Sequence, residues 1–300
     1  MALELLQARP ATAPVPPEPA NGPARVPTGV PDFDYFMGGV PAGSVVLLMG
    51  DAGAGHAEFA FTSAVQLMLH REDPEHHSFH LGTANGPFLY PQRILYVSLT
   101  RTRRQVLDEV RDAFDPLYPE VFDRNLSFED LSPAYFAETS VPSAWAEVPS
   151  PLTSLSPGGS RTPLGPLPAI AQALEAGAAR TVTILDSLGD LAIRPGLEGS
   201  ELVTFLKGLR RRAKEWNGIV YLLLARGVAP AAIEHAIVDS VDGVLSFNWT
   251  STPNRSHRQR SLQIEKFMPV LSHVQDDYHG RFVIRVHAQT GLVTTQHERI

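Results

Sequence analysis

From Ser44 to Met49 the chain reads SVVLLM, apolar almost without a break, the pattern of a strand buried on both faces of a sheet. Just beyond it, between His56 and His70, apolar residues fall at 60, 61, 64, 65, 68 and 69, which is the spacing of one helix face. The same alternation repeats. RILYVSL (93–99) predicts a second strand and RTRRQVLDEVRDAF (101–114) a helix, with a short strand at LSF (126–128). A short helix over 168–179 leads into TVTILDSLGDL, whose strand ends at Asp186. Helix 198–217 gathers Leu202, Phe205, Leu206, Leu209, Ala213 and Trp216 on one side. It is followed by the apolar strand GIVYLLLA (218–225) and a helix near 229–240. The end of the chain changes character: DGVLSFNW, RSLQIEKFM and RFVIRVH, with a turn at QTGL, alternate as antiparallel strands do. Strands alternating with helices, then a β-rich end, predict an α/β domain with a mostly parallel core and antiparallel edge strands.

Three stretches interrupt that pattern. Residues 1–25 are rich in Pro and Ala without apolar periodicity and read as a disordered tail, leaving 26–300 as a single domain. Polar or Pro-, Ser- and Gly-dense segments near 71–92 and 130–168 read as insertions into it, the longer of them irregular.

Composition narrows the class. With 43% hydrophobic residues the chain can bury a large core, and no apolar run reaches the ~18 residues of a membrane span. The N-terminus lacks a basic segment ahead of an apolar one, so a cytoplasmic protein is expected. The absence of cysteine excludes disulfides, thiolate metal sites and cysteine nucleophiles. A net charge of −7 argues against broad nucleic-acid binding. Only three lysines occur, Lys207, Lys214 and Lys266, all in the last third.

That scarcity matters at the junction of the first strand and helix. Gly50-Asp51-Ala52-Gly53-Ala54-Gly55 has the spacing of a P-loop, GxxxxGK[ST], in the strand-to-helix context the motif requires. Backbone N–H groups of such a loop, with the helix N-terminus, can hold an anion without side-chain help. The two side chains that complete the motif are missing, because His56 and Ala57 stand in place of Lys and Ser/Thr. Lysine bridges the β- and γ-phosphates there, and the hydroxyl binds Mg²⁺. Far along the chain, VTILDS (182–187) ends a buried strand in Asp186-Ser187, as a Walker-B strand would.

Taken in order, four segments resemble the KaiC- and RadA-like branch of the RecA-fold ATPases. They are VPTGVPDFDYFMGGVPAGSVVLLMGDAGAG, RILYVSL, VTILDSLGDL, and VDGVLSFNW with RSLQIEKFM, and together they span roughly residues 25–295. The resemblance implies a RecA-like three-layer sandwich with a mostly parallel central sheet and antiparallel C-terminal strands. It also implies ATP and Mg²⁺ as ligands, and a role for Lys266 reaching a neighbouring subunit's nucleotide. The departures fall on the chemistry. Thr100-Arg101 replace the family's glutamate pair, and Met268 stands where its Arg would. Neither Thr nor Arg can serve as the base that polarises water. The cofactor is therefore left open: the loop backbone suits ATP, and the side chains that handle Mg²⁺ are largely gone.

The resulting expectation is a pseudo-ATPase, a regulatory, signalling or assembly subunit that works as a homo-oligomer or with an active relative or signalling partner. Two alternatives stand beside it. One is an ATPase with an atypical P-loop, using His56 for charge and Lys266 in trans. The other is a DNA-recombination accessory protein, using Arg210–Arg212 with Lys207 and Lys214, or SHRQR (256–260). Neither basic run has aromatics interleaved for base stacking, and a solvated face is the expected reading of both. His70, His76, His77 and His80 cluster without the spacing of a metal site, and a solvated loop is expected there.

Overall fold

The computed structural model describes residues 24–75, 77–78, 87–146, 164–251, 258–267 and 281–295. In chain order the strands are β1 (Arg25–Val26), β2 (Val40–Pro41), β3 (Ser44–Gly50), β4 (Arg93–Ser98), β5 (Leu126–Asp130), β6 (Thr181–Asp186), β7 (Ile219–Ala225), β8 (Gly243–Ser251), β9 (Arg258–Lys266), β10 (Arg281–His287) and β11 (Gly291–Thr295). The helices are α1 (Pro31–Met37), α2 (His56–Glu72), α3 (Arg103–Ala113), α4 (Leu117–Arg124), α5 (Ser132–Phe136), α6 (Pro166–Gly177), α7 (Leu188–Ala192), α8 (Gly199–Ala213) and α9 (Ala231–Ser240).

Among the described residues nine strands form one sheet in the order β11-β10-β9-β8-β3-β7-β6-β4-β5. From β8 to β5 every neighbouring pair is parallel, and β8–β9, β9–β10 and β10–β11 are antiparallel. The last strands therefore do more than cap an edge: β8 pairs parallel with β3 on one side and antiparallel with β9 on the other.

Why β3 is apolar from Val45 to Met49 is visible in its packing. Val46 and Leu48 point into a cluster with α1–α4, whereas Val45, Leu47 and Met49 point into another with α6–α9. A strand covered on both faces gains from an apolar side chain at each residue, roughly 1.5–3 kcal/mol for each large one buried. The outcome is three layers, helix–sheet–helix.

Helix α2 is more deeply buried than a one-faced helix. From Phe59 to Leu69 only Gln66 escapes full burial, because α4 and the edge strand β11 pack on α2 in addition to β3 and β7. Leu292 N–H donates to Thr62 Oγ1 (2.8 Å), and Gln66 Nε2 donates to the Tyr118 hydroxyl (2.7 Å), so polar residues of α2 are used in that packing.

Two expectations shift at their margins. Of the segment expected to be irregular (130–168), Ser132–Phe136 is helical, Ser143–Trp145 makes a 3₁₀ turn, and α6 already begins at Pro166. Residues 147–163 lie outside the described residues, as does the expected tail up to residue 23. Arg25, placed in that tail, belongs to β1: its guanidinium donates to the carbonyls of Met37, Gly38 and Gly39 at the end of α1.

The same N-terminal segment is pinned by a buried carboxylate. Asp34 accepts from Thr28 N–H (2.8 Å), Thr28 Oγ1 (2.8 Å) and Gly29 N–H (2.8 Å) and has no exposed surface. Burial pushes its carboxyl up to about 7, against the opposing pull of those three donors.

Candidate functional site

The parallel strands end together along one edge of the sheet, and open α/β sheets place ligands beyond that edge. Three loops meet there: the Gly-rich turn after β3, Leu99–Thr102 after β4, and Ser187 after β6.

The Gly-rich turn is held from below. Asp51 N–H donates to the Phe247 carbonyl of β8 (3.0 Å), Ala54 N–H closes a turn onto the Asp51 carbonyl (3.0 Å), and Phe59 N–H begins the helical pattern on Gly55 (2.9 Å). Gly55, with φ 114°, caps α2 without any side-chain acceptor. A Cβ there would lie 3.1 Å from Ile284 Cδ1, so the turn sits directly on the C-terminal strands. The first N–H groups of α2 thus keep the orphan character usual at a helix start.

His56 does not extend over that opening. Its Nδ1 is buried without a hydrogen-bond partner, in the space Gly50 leaves open: a Cβ on Gly50 would lie 2.8 Å from it. Burial lowers the imidazole below its usual range, outweighing the nearby charges of Glu58 and Asp186. The ring is therefore neutral at pH 7, and supplies no lysine-like charge. Ala57 packs against the core and carries no oxygen.

Asp186 ends β6, with 8% of its surface exposed. The pairing of Ser98 with Asp186 sets β4 and β6 in register, and this brings two donors onto one carboxylate oxygen. Tyr96, buried in β4, donates its hydroxyl to Asp186 Oδ2 (2.5 Å), and Arg101 donates Nη1 to the same oxygen (2.8 Å). The second guanidinium nitrogen of Arg101 pairs with Glu109 of α3. The Arg101 backbone is clasped by Ser98, whose Oγ accepts from Arg101 N–H (2.9 Å) and donates to the Arg101 carbonyl (2.6 Å). Asp190 lies alongside, accepting from Thr100 Oγ1 (3.3 Å), while its N–H is capped by Ser187 Oγ (3.3 Å). Burial, with the charge of Asp186, raises the Asp190 carboxyl above its usual range.

The structure thus brings Gly50–Ala57, Asp186 and Ser187 to one edge, with the field of Asp186 reaching His56. It leaves Lys266 elsewhere. The register Val244↔Lys266 puts that residue at the start of β8, whereas the loop sits level with Phe247, and its Nζ donates to the last-turn carbonyls of α9, Val238 (3.0 Å) and Asp239 (2.8 Å).

The basic run on α8 is largely neutralised. Arg210 and Lys214 both pair with Asp242 (2.8 and 2.7 Å), and Arg212 pairs with Glu175 (2.6 Å). Of SHRQR, residues 256 and 257 lie outside the described residues. Arg258 and Arg260 lie 5.8 and 5.2 Å from the ring centre of Trp249, whose Nε1 donates to the Ala52 carbonyl (3.0 Å). No aromatic is interleaved with these arginines along the chain, yet Trp249 faces Arg260 across β8–β9. Among the histidines, His70 Nδ1 bonds the His77 carbonyl (2.6 Å), and His76 and His80 lie outside the described residues. Among the described residues no cluster of three or more His, Asp or Glu is arranged to hold a metal.

Two residues of this site escaped the linear reading. Tyr96 carried no signal, being one more apolar position in a strand. Arg101 was visible as a misfit where a glutamate was expected, but its target was not.

No protein-family model matches the chain, and no curated protein matches it. Solved structures do. A KaiC-like protein from the hyperthermophilic archaeon Pyrococcus horikoshii superposes with a TM-score of 0.56 at 18% identity, over 91% of this chain and 99% of that one. The flagellar accessory protein FlaH from Methanocaldococcus jannaschii gives 0.60 at 14% identity, over 92% and 100%. The fold is RecA-like, as the four sequence segments imply.

Proposed function

We propose that this chain is a RecA-fold protein whose nucleotide site no longer hydrolyses, and that it acts as a regulatory or assembly subunit. One observation carries the reading: one oxygen of the carboxylate that a P-loop ATPase would turn toward Mg²⁺, Asp186 Oδ2, is taken by Arg101 and the Tyr96 hydroxyl. The residues present do not fit a magnesium-bound nucleoside triphosphate. Position 57 offers no side-chain oxygen, position 56 offers no lysine-like cation, and Thr100-Arg101 stand directly after β4 where a glutamate base would. What persists is a Gly-rich turn on a helix N-terminus, and a RecA-like scaffold whose loops are fixed by hydrogen bonds. On this reading the chain acts through contacts with other chains rather than through turnover. The similarity in fold to a flagellar accessory protein supports an accessory role. Among the described residues no helix is long and apolar enough to cross a membrane.

The test is steady-state turnover of ATP in Mg²⁺. The expected result is no release of phosphate above background, with Asp186→Asn indistinguishable from the parent. Mg²⁺-dependent turnover that falls more than ~10-fold in Asp186→Asn would overturn the proposal.

A further inference from the structure

We infer that Arg101 is a built-in counter-ion, an autoinhibitory contact that occupies the position of a divalent cation beside Asp186 and closes the site to metal. This rests on the reading of the site as non-hydrolytic and adds what holds it so.

The argument is one of charge and geometry. Asp186 and Asp190 stand at and just after the end of β6, and Glu109 of α3 reaches them only through Arg101. Among the described residues Arg101 is the one cation that pairs with any of them, bridging Asp186 (2.8 Å) and Glu109. Asp186 is largely buried, so its charge needs a partner within the protein. A guanidinium is permanently charged and planar, and it can serve two carboxylates at once. Its backbone is fixed by the paired bonds to Ser98, and its loop is anchored by Leu99 N–H on the Asp186 carbonyl (3.1 Å). The cation is therefore tethered: it cannot diffuse away, and a metal ion has to displace it to reach Asp186 Oδ2. Tyr96 adds to the closure, because its hydroxyl donates to the same oxygen from inside the core.

Neutralising Arg101 is expected to leave Asp186 without its ion pair and open to a divalent ion. The probe is MgCl₂ alone, compared with NaCl of equal ionic strength, read by thermal denaturation of the full chain. The parent is expected to shift by less than ~1 °C at 10 mM Mg²⁺. Arg101→Gln is expected to gain about 3 °C, the size that ligand linkage gives at roughly ten times Kd. Asp186→Asn in that background is expected to abolish the gain, and Arg101→Lys to keep most of the closure. If Arg101→Gln does not fold in EDTA, Mg²⁺ is expected to restore its circular-dichroism signal where NaCl does not. An Arg101→Gln protein that Mg²⁺ neither stabilises nor restores overturns the inference while leaving the proposed function intact. A parent protein already stabilised by Mg²⁺ through Asp186 overturns both.

Discussion

Replacing Asp34 with alanine is expected to lower the unfolding free energy by about 3–5 kcal/mol, measured by urea denaturation at neutral pH. The carboxylate is completely buried and accepts three hydrogen bonds, two of them from backbone N–H groups of Thr28 and Gly29. Truncation leaves those donors without an acceptor, where no water reaches them. The cost is thus one of orphaned polar groups rather than lost packing. A pH signature separates this residue from others. Its carboxyl is raised from 3.8 to about 7, so between those values the folded protein holds a proton that the unfolded chain releases. The contribution to stability is full below the unfolded value and is lost as pH rises toward 7, by at most roughly 1.4 kcal/mol per pH unit. Asp34→Asn, which does not titrate, is expected to remove that part of the slope. An unchanged slope in this variant would show that Asp34 titrates normally.

A second large effect is expected at Gly43, where Ala should cost about 2–4 kcal/mol. Two penalties combine there. The backbone has φ +71°, which an L side chain adopts only with strain. A Cβ would also lie 2.5 Å from the Ala213 carbonyl oxygen and 2.6 Å from Lys214 Cα, both backbone atoms at the end of α8 that cannot swing aside. Gly208 provides the contrast within the same helix. It is exposed, nothing lies within 4 Å of its missing Cβ, and Ala there is expected to stabilise by about 0.5–1 kcal/mol. Equal effects at the two positions would mean that α8 does not press on the start of β3.

Both residues lie in the first of the four segments that carry the family resemblance. VPTGVPDFDYFMGGVPAG contains both Asp34 with its donors Thr28 and Gly29, and the close approach at Gly43. Its spacing reflects a local hydrogen-bonded unit and a tight passage of backbone, so it survives as a linear pattern. The strands were legible for a related reason. Burial on both faces of β3 and β7 leaves continuous apolar runs that no exposed element would carry.

The site was legible only in part. The Gly-rich turn and Asp186 stand in a linear order that the resemblance supplied. The contact between Arg101 and Asp186 depends on β4 lying beside β6, a pairing between positions 85 residues apart. Trp249 against Arg260 depends in the same way on the β8–β9 register, and the α9 carbonyls that hold Lys266 depend on how that helix packs. Periodicity shows which elements exist and says nothing of which polar ends they bring together.

The central claim is that the site has lost its metal chemistry, and Mg²⁺ dependence of nucleotide binding tests it most directly. Equilibrium binding of labelled ATP and ADP is to be measured on the full chain in EDTA and in 10 mM Mg²⁺. The account predicts that Mg²⁺ changes neither affinity by more than about twofold, in the parent and in Asp186→Asn alike. ATP affinity that rises tenfold or more with Mg²⁺, and loses that rise in Asp186→Asn, would contradict it.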